Sequence, residues 1–539
     1  MSHGDEAFYS AMPYTFALGN RPYVDELGTQ QSAGILLVPF YRVYLAIAGS
    51  ADGIILFNRY LYFIYAAVGS WLTYRFVKRI ERPSTGCWAA ALVLTFSYFN
   101  LFALSYNTQG AFGFLCGILC AATALLDARP ARQLFVASLF LLSAVFSYPG
   151  LVMAFFPYTL LVLAWVYRKV PTPARRNALA GLGAGAALAV LIAVLVAFWI
   201  GKDNFRRVLA FSQSLGYLTQ SALRRFDFYH TGAWPWRWSL LLFTAFFAAW
   251  PVVYSLPKRH LWLVAAASVA AMWLLRRQGL ATPGISGAIL IWMTVPVLTP
   301  VCVALNRGWR HGPLLLQLVW APSVLSMIAT TYTSSNGYAA TSLGSLGVLV
   351  AGAASLGAYL NTLAERNPAQ RWGYDLGVAA FLVACLAIQI EGMYGGVYDL
   401  DSVLSDLNTR VHSGPFRGTL TNRAEAEFAV AIDHDLKQVE QGQSTLLVFD
   451  NFPTGYLSTR LRPRTWSTWI AWFVDPKYLR EVMAETFGKP EQLPDVLLEV
   501  HMSDSARAYW KPYARQYHVV IDRSELGYQI LRRIHRHKK

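Results

Sequence analysis

GDEAFYSAMPYTFALGNRPYVDE, residues 4–26, is a polar, aromatic and acidic stretch at the start of a very hydrophobic chain. It holds one acidic couple, Asp5-Glu6, and a second, Asp25-Glu26. A secretory signal or a membrane span needs an uninterrupted apolar run instead. The rest of the chain sets the context for reading it. Of 539 residues, 55% are hydrophobic and only 14% charged. Soluble domains carry about a quarter charged residues, so composition places the chain in the polytopic membrane class. The formal net charge is +16. Its Arg and Lys fall in short clusters between apolar runs, which is the positive-inside pattern rather than a nucleic-acid groove. No nucleic-acid partner is expected.

An apolar run of about 17–25 residues is long enough to cross a bilayer. Such runs fall near 53–75, 86–104, 110–127, 133–149, 151–168, 177–200, 238–256, 261–277, 284–305, 313–331, 338–361 and 373–391, about twelve in all. Alternate connections are short and basic: Lys78 to Arg82, Arg129 to Arg132, Arg168 to Arg176, Lys258 to His260, Arg307 to His311, and Glu365 to Arg371. These are expected in the cytoplasm. The connections at Ser105-Tyr106-Asn107, Tyr148-Pro149-Gly150, 201–237 and Tyr332 to Tyr338 then fall outside, as do residues 1–52 and the tail from about 392. An external start calls for a further span upstream of Met1, and we expect one. The run Gly34 to Gly49 is about 15 residues long and carries Pro39 and Arg42. It reads as a re-entrant or interfacial helix on the outer surface. Trp234, Trp236 and Trp238 mark an interface belt.

The tail changes character. Thr421 to Gly442 reads as an amphipathic helix, 444–450 as a buried strand, Pro476 to Gly488 as a helix, 496–500 as a strand, Ser503 to Tyr517 as a helix and 518–522 as a strand. Alternation of this kind predicts a small α/β domain. The expected fold is therefore mostly α: an external first loop with interfacial helices (1–52), a multi-span helical membrane domain (53–391) and a small extracytoplasmic α/β domain (392–539). The five cysteines, Cys87, Cys116, Cys120, Cys302 and Cys385, sit in apolar runs, so no disulfide framework is expected. Cys116 and Cys120 lie one helical turn apart, but no His or further Cys joins them to make a metal site.

The order Asp5-Glu6, Tyr9, Gly19 and Pro22-Tyr23, followed by the interfacial run, resembles the first external loop of GT-C glycosyltransferases. It looks most like glycosyltransferase family 39, the protein-mannosyltransferase and aminoarabinose-transferase group. The motif-level likeness covers about the first 60 residues; the multi-span body and external tail resemble that family in architecture. The resemblance implies a polyprenyl-phosphate-linked sugar as donor and a glycan, lipid or protein as acceptor. Transfer would invert the anomeric carbon on the outer face of the cell inner (plasma) membrane, in the bilayer. Such chemistry needs a carboxylate within reach of the acceptor hydroxyl, cations for the departing phosphate and an apolar groove for the prenyl chain.

Asp5 is the expected general base, with Glu6 orienting it or sharing a cation. A divalent cation is left open as cofactor, with Asp5 and Glu6 as its ligands. The plainer alternative is acids placed at a helix N-terminus for the dipole. Arg59, inside the first span, is expected to organise the acidic stretch through Asp5 or Asp25, or else to snorkel. Tyr23 belongs to the Pro-Tyr stretch. Asp25 and Glu26 read as a solvated or capping pair, with Asp25 also carried as a substrate contact. Lys202, Arg206, Arg207, Arg224, Arg225, Arg276 and Arg277 defy the positive-inside rule and are the phosphate-binding candidates. His230 and Asn336 are further substrate-contact candidates, each with ordinary loop chemistry as its alternative. The aromatic run RTWSTWIAWF, 464–473, either presents Trp faces to sugar rings or packs on the membrane domain. Two other classes remain: a lipid-linked-glycan transporter or flippase, whose usual repeats and broken helices are not evident here, and a non-catalytic envelope assembly protein.

Overall fold

The computed structural model describes residues 4–28, 30–97, 101–127, 130–214, 296, 298–334, 340–366, 404–449, 452–470, 476–501 and 504–534. The expected spans at 238–256, 261–277 and 373–391, most of that at 284–305, and Trp234, Trp236 and Trp238 lie outside the described residues.

The opening stretch folds as helix α1, Asp5–Ala17, with both acids in its first turn, where the helix dipole favours them. It closes at Gly19, whose φ of +107° suits glycine. Residues 6–16 are all buried, so α1 is a core helix rather than a surface loop. Helix α2, Gln31–Ala48, starts earlier than the Gly34 expected. Its Leu37 and Tyr41 are buried, while Phe40, Val43 and Ile47 are exposed. Its 18 residues are long and apolar enough to cross a membrane, where the sequence predicted an interfacial helix of about 15.

Helix α3, Ile54–Ile80, has 27 residues and carries Lys78 and Arg79 in its last turn. Helix α4, Pro83–Leu94, has only 12 residues, about 18 Å at 1.5 Å each, which is short of a bilayer core of ~30 Å. The run 86–104 is therefore not one span. The cause is local: Ser105 accepts from the Thr108 amide in a capping box and opens α5, Tyr106–Ala124, as a new helix. Residues 107–124 of α5 are all buried. A Cβ on Gly117 would lie 2.5 Å from Leu141 Cγ, and one on Gly110 would lie 2.7 Å from Tyr148 Cβ. These glycines let α6, Ala131–Ser147, pack closely against α5. Next come α7, Val152–Lys169, α8, Thr172–Ile200, and α9, Lys202–Ser214. Later in the chain lie α10, Gly312–Thr333, and α11, Leu346–Arg366.

Among the described residues five helical segments are long and apolar enough to cross a membrane: Gln31–Ala48, Pro149–Lys169, Thr172–Ile200, Gly312–Thr333 and Leu346–Arg366. The expected runs at 53–75, 110–127 and 133–149 are also helical, as α3, α5 and α6. Helix α8 leaves Leu191, Leu195, Phe198 and Trp199 exposed, an apolar face suited to lipid.

The tail is α/β, as its pattern predicts. A short antiparallel pair, β1 (Thr409–Arg410) and β2 (Leu420–Thr421), precedes α12, Arg423–Glu440. The main sheet uses β3 (Thr445–Phe449), β4 (Arg462–Pro463), β5 (Val496–Val500), β6 (Tyr517–Arg523) and β7 (Tyr528–Arg533). Their order is β4-β3-β5-β7-β6, with β4, β3 and β5 parallel and β7 antiparallel to both neighbours. Strand alternation sends Leu446, Val448, Val496, Leu498 and Ile530 into one core and Leu447, Phe449, Leu497 and Leu531 into another. The first core is continuous with α1 and the long helices through Ala11, Tyr14, Leu436 and Leu461. The second gathers Trp466, Trp510 and Phe487 of α14, Pro476–Phe487; the short α13, Thr454–Leu457, lies between β3 and β4 in the chain.

Candidate functional site

Glu6 is 2% exposed, and both its oxygens accept from Arg59: Nε to Oε1 at 2.6 Å and Nη2 to Oε2 at 2.8 Å. This is a bidentate fork, the strongest form of the carboxylate–guanidinium pair. One residue earlier on α3, Asn58 donates to Ser10 Oγ at 3.0 Å and accepts from the Leu104 amide at 3.2 Å. Glu6 and Ser10 are four apart on one face of α1, so α1 is pinned to α3 by two adjacent side chains. Arg59 thus organises the acidic stretch through Glu6, not through Asp5 or Asp25 as expected. Asp5, at the start of α1, is half-buried.

The second acidic couple splits. Asp25 accepts from the Arg21 amide at 2.8 Å and from its guanidinium at 3.2 and 3.3 Å, closing a local turn. In this clamp both carboxylate oxygens of Asp25 serve the local turn. Glu26 is buried instead. It accepts from the Gly28 amide at 2.8 Å, and from the Thr468 amide at 2.8 Å and hydroxyl at 2.9 Å. Burial pushes its carboxyl above the ordinary range, and these donors offset only part of that. The Leu27 amide donates to the Trp466 carbonyl at 2.8 Å. Tyr23 sits at φ +62°, gives its amide to the Gln31 side chain and packs its ring on the Trp466 core; burial raises its phenol. Tyr23 and Glu26 therefore stitch the first loop to the tail. Of the two alternatives for Glu26, capping describes it, since it accepts from the Gly28 and Thr468 amides, and a solvated acid does not, since it is buried.

The tryptophans of 464–473 resolve in part. Trp466 is buried in the tail, and the Trp469 ring lies 4.8 Å from that of Phe8 on α1. Tyr14 donates to the Thr459 carbonyl at 2.9 Å. Packing, not ring presentation, is the role of Trp466. Trp472 lies outside the described residues. A small apolar cleft beside α1 is lined by Phe8, Tyr9, Met12, Leu37, Tyr106 and Gln109, among others.

Of the cationic candidates, Arg206 lies 3.7 Å from Asp203, and Arg207 pairs with Glu485 of the tail at 3.1 Å. Arg224, Arg225, His230, Arg276, Arg277 and Asn336 lie outside the described residues. Among the described residues no group of three or more His, Cys, Asp or Glu is placed to hold a metal ion. Glu6, one of the two acids considered for a cation, already has a cation on both oxygens. The structure thus defines a helical chain with segments long and apolar enough to cross a membrane, an α/β tail, and an acidic helix locked between them. No family model matches the chain, and no curated protein does.

Proposed function

We propose that the chain is an integral-membrane glycosyltransferase that takes a sugar from a polyprenyl-phosphate donor to an acceptor on the extracytoplasmic face. The observation that carries this reading is the setting of Asp5. It is a half-buried carboxylate at the first residue of a helix clamped by the Glu6–Arg59 fork, where the tail meets the membrane-crossing helices. A carboxylate at such a junction is placed to take the proton of an acceptor hydroxyl as that oxygen attacks the anomeric carbon. Attack from the face opposite the lipid phosphate inverts that carbon and releases the phosphate. Arg59 and Glu6 act as positioning residues: they hold the first turn of α1 while leaving Asp5 outside the fork. The exposed apolar faces of α2 and α8 suit a prenyl chain lying in the bilayer.

The test is donor consumption in membranes carrying the wild type and Asp5→Asn, with a panel of polyprenyl-phosphate sugars. Loss of a positioned general base is expected to slow turnover by roughly 10²–10⁴-fold. Asp5→Asn turnover equal to wild type sinks the assignment of Asp5. No turnover by wild type with any donor in the panel sinks the transferase reading.

A further inference from the structure

A second cleft lies apart from Asp5, where the β1–β2 hairpin meets the start of α3. It has a volume of about 490 Å³ and is lined by Tyr44, Asp52, Leu56, Phe57, Tyr60, Arg410, His412 and Arg417, among others. The junction is built, not incidental. The Gly53 amide donates to the Gly414 carbonyl at 2.9 Å, and the Ile55 amide to the Pro415 carbonyl at 3.2 Å. The hairpin turn thereby satisfies amides that the first turn of α3 leaves open. It also holds Arg410, His412 and Arg417 over that turn, all exposed. The lining sets Arg410 and Arg417 against one acid, Asp52, and so keeps an excess of positive charge; Asp52 shares Lys437 Nζ, at 3.2 Å, with Asp433 at 2.9 Å.

Below the cleft, α3 presents an apolar stripe. Leu56 is half-buried, and Tyr60, Phe63, Ile64 and Trp71 are exposed. Leu56, Tyr60 and Ile64 repeat every four residues and share one helix face. A basic pocket at the head of an exposed apolar stripe matches an amphiphile with an anionic head. A soluble anion would use the basic pocket and leave the stripe without a role.

We propose that this cleft binds the headgroup phosphate of an anionic membrane phospholipid, with Arg410 and Arg417 on the phosphate and the acyl chains along Leu56, Tyr60 and Ile64. The inference takes the exposed stripe of α3 to face the bilayer, although α3 is not among the five segments apolar enough to cross one, and it is independent of sugar transfer. The lipid ties the tail to the bilayer at the hairpin.

Native mass spectrometry of the purified full chain tests it, with phosphatidylglycerol, phosphatidylcholine and inorganic phosphate as separate probes. Wild type is expected to retain phosphatidylglycerol over phosphatidylcholine. The Arg410→Gln/Arg417→Gln variant is expected to lose on the order of tenfold in retention. The Arg410→Lys/Arg417→Lys variant keeps the charge and is expected to retain the lipid. Arg423→Gln, at an exposed arginine paired with Glu427 on α12, serves as the control and is expected to bind as wild type does. Equal retention of both lipids overturns the proposal, as does undiminished retention by the Gln variant. Displacement of the lipid by equimolar inorganic phosphate points to a free-anion site and also overturns it. If the Gln variant fails to melt as wild type does, the phosphatidylglycerol preference of wild type and its weakening with salt still decide the question.

Discussion

Arg59 and Glu6 show what a single pair decides. Glu6 is 2% exposed and the Arg59 side chain 26%. Removing one partner from such a pair strands the other charge in a poorly solvated place. Arg59→Ala is expected to cost on the order of 3 kcal/mol and to lower the tryptophan-fluorescence melting temperature. The neutral pair Glu6→Gln/Arg59→Met is expected to recover much of that loss; no recovery would mean that Arg59 acts through packing alone. Glu26 makes a prediction of different sign. Its carboxyl titrates above the ordinary 4.5 in the folded chain because it is buried. The folded state therefore binds the proton more tightly than the unfolded one. Its contribution to stability is full below 4.5 and is lost as pH rises through the raised value. Glu26→Gln is expected to flatten that pH dependence but to lose one acceptor, because its amide nitrogen must face the Gly28 or the Thr468 N–H, whereas Glu26→Ala leaves both donors without an acceptor and costs roughly 1–3 kcal/mol. Melting curves across pH check both variants. The sequence makes Asp5, Glu6 and Arg59 visible as chemistry-bearing residues. It does not say which acid meets the arginine, because neighbours on a helix point about 100° apart. Only the seat of α1 on α3 decides that.

At the scale of elements, α5 and α6 pack through small residues. Gly110, Gly113 and Gly117 face Tyr148, Ala144 and Leu141 respectively. Gly117→Val would drive a branched side chain into Leu141, which is itself buried, and the backbone of α6 would have to retreat. Overpacking of this kind is expected to cost about 1–3 kcal/mol, read as a lower melting temperature in detergent. The conservative control Gly183→Ala, where a Cβ meets open space, is expected to leave stability unchanged or slightly raised. Element boundaries were legible where an apolar run ended in a clear signal. Helix α3 ends at Lys78-Arg79, and the strands at 445–449 and 496–500 stand out as short apolar runs between turns. They were not legible where two elements shared one apolar run. Leu94 ends α4 and Tyr106 starts α5, and average hydropathy runs straight across that break. Strand β7 is hidden because its sequence ends in Arg532-Arg533; for α1 the helix start at the acids is legible, but its burial on every side is not, because its apolar content is modest.

For the whole molecule, contacts sort the connections into two ends. Arg79 pairs with Asp127, and Asn361 bonds Glu81, so the connection at 78–82, Asp127 after α5 and the last turns of α11 meet at one end of the helices. Thr333 donates to the Tyr148 hydroxyl at 3.2 Å, joining two connections expected on the opposite side. Helix α3 runs between the ends, from the tail hairpin at Gly53 to Lys78-Arg79. Its 27 residues span about 40 Å, longer than a bilayer core of ~30 Å. We propose that the basic end lies in the cytoplasm, a placement under which the tail and α1 would face outward. Two engineered thiols read this directly in a Cys87→Ala/Cys385→Ala background, which removes the one exposed thiol among the described residues and the cysteine outside them. Ser405→Cys, on the exposed start of the tail, is expected to react with a membrane-impermeant maleimide in intact cells. Ser84→Cys, exposed at the start of α4 beside the basic end, is expected to react only after permeabilisation. The reverse pattern would place Asp5 on the cytoplasmic side and remove the outer-face transfer reaction, while the phospholipid cleft would keep its chemistry and simply face the other leaflet.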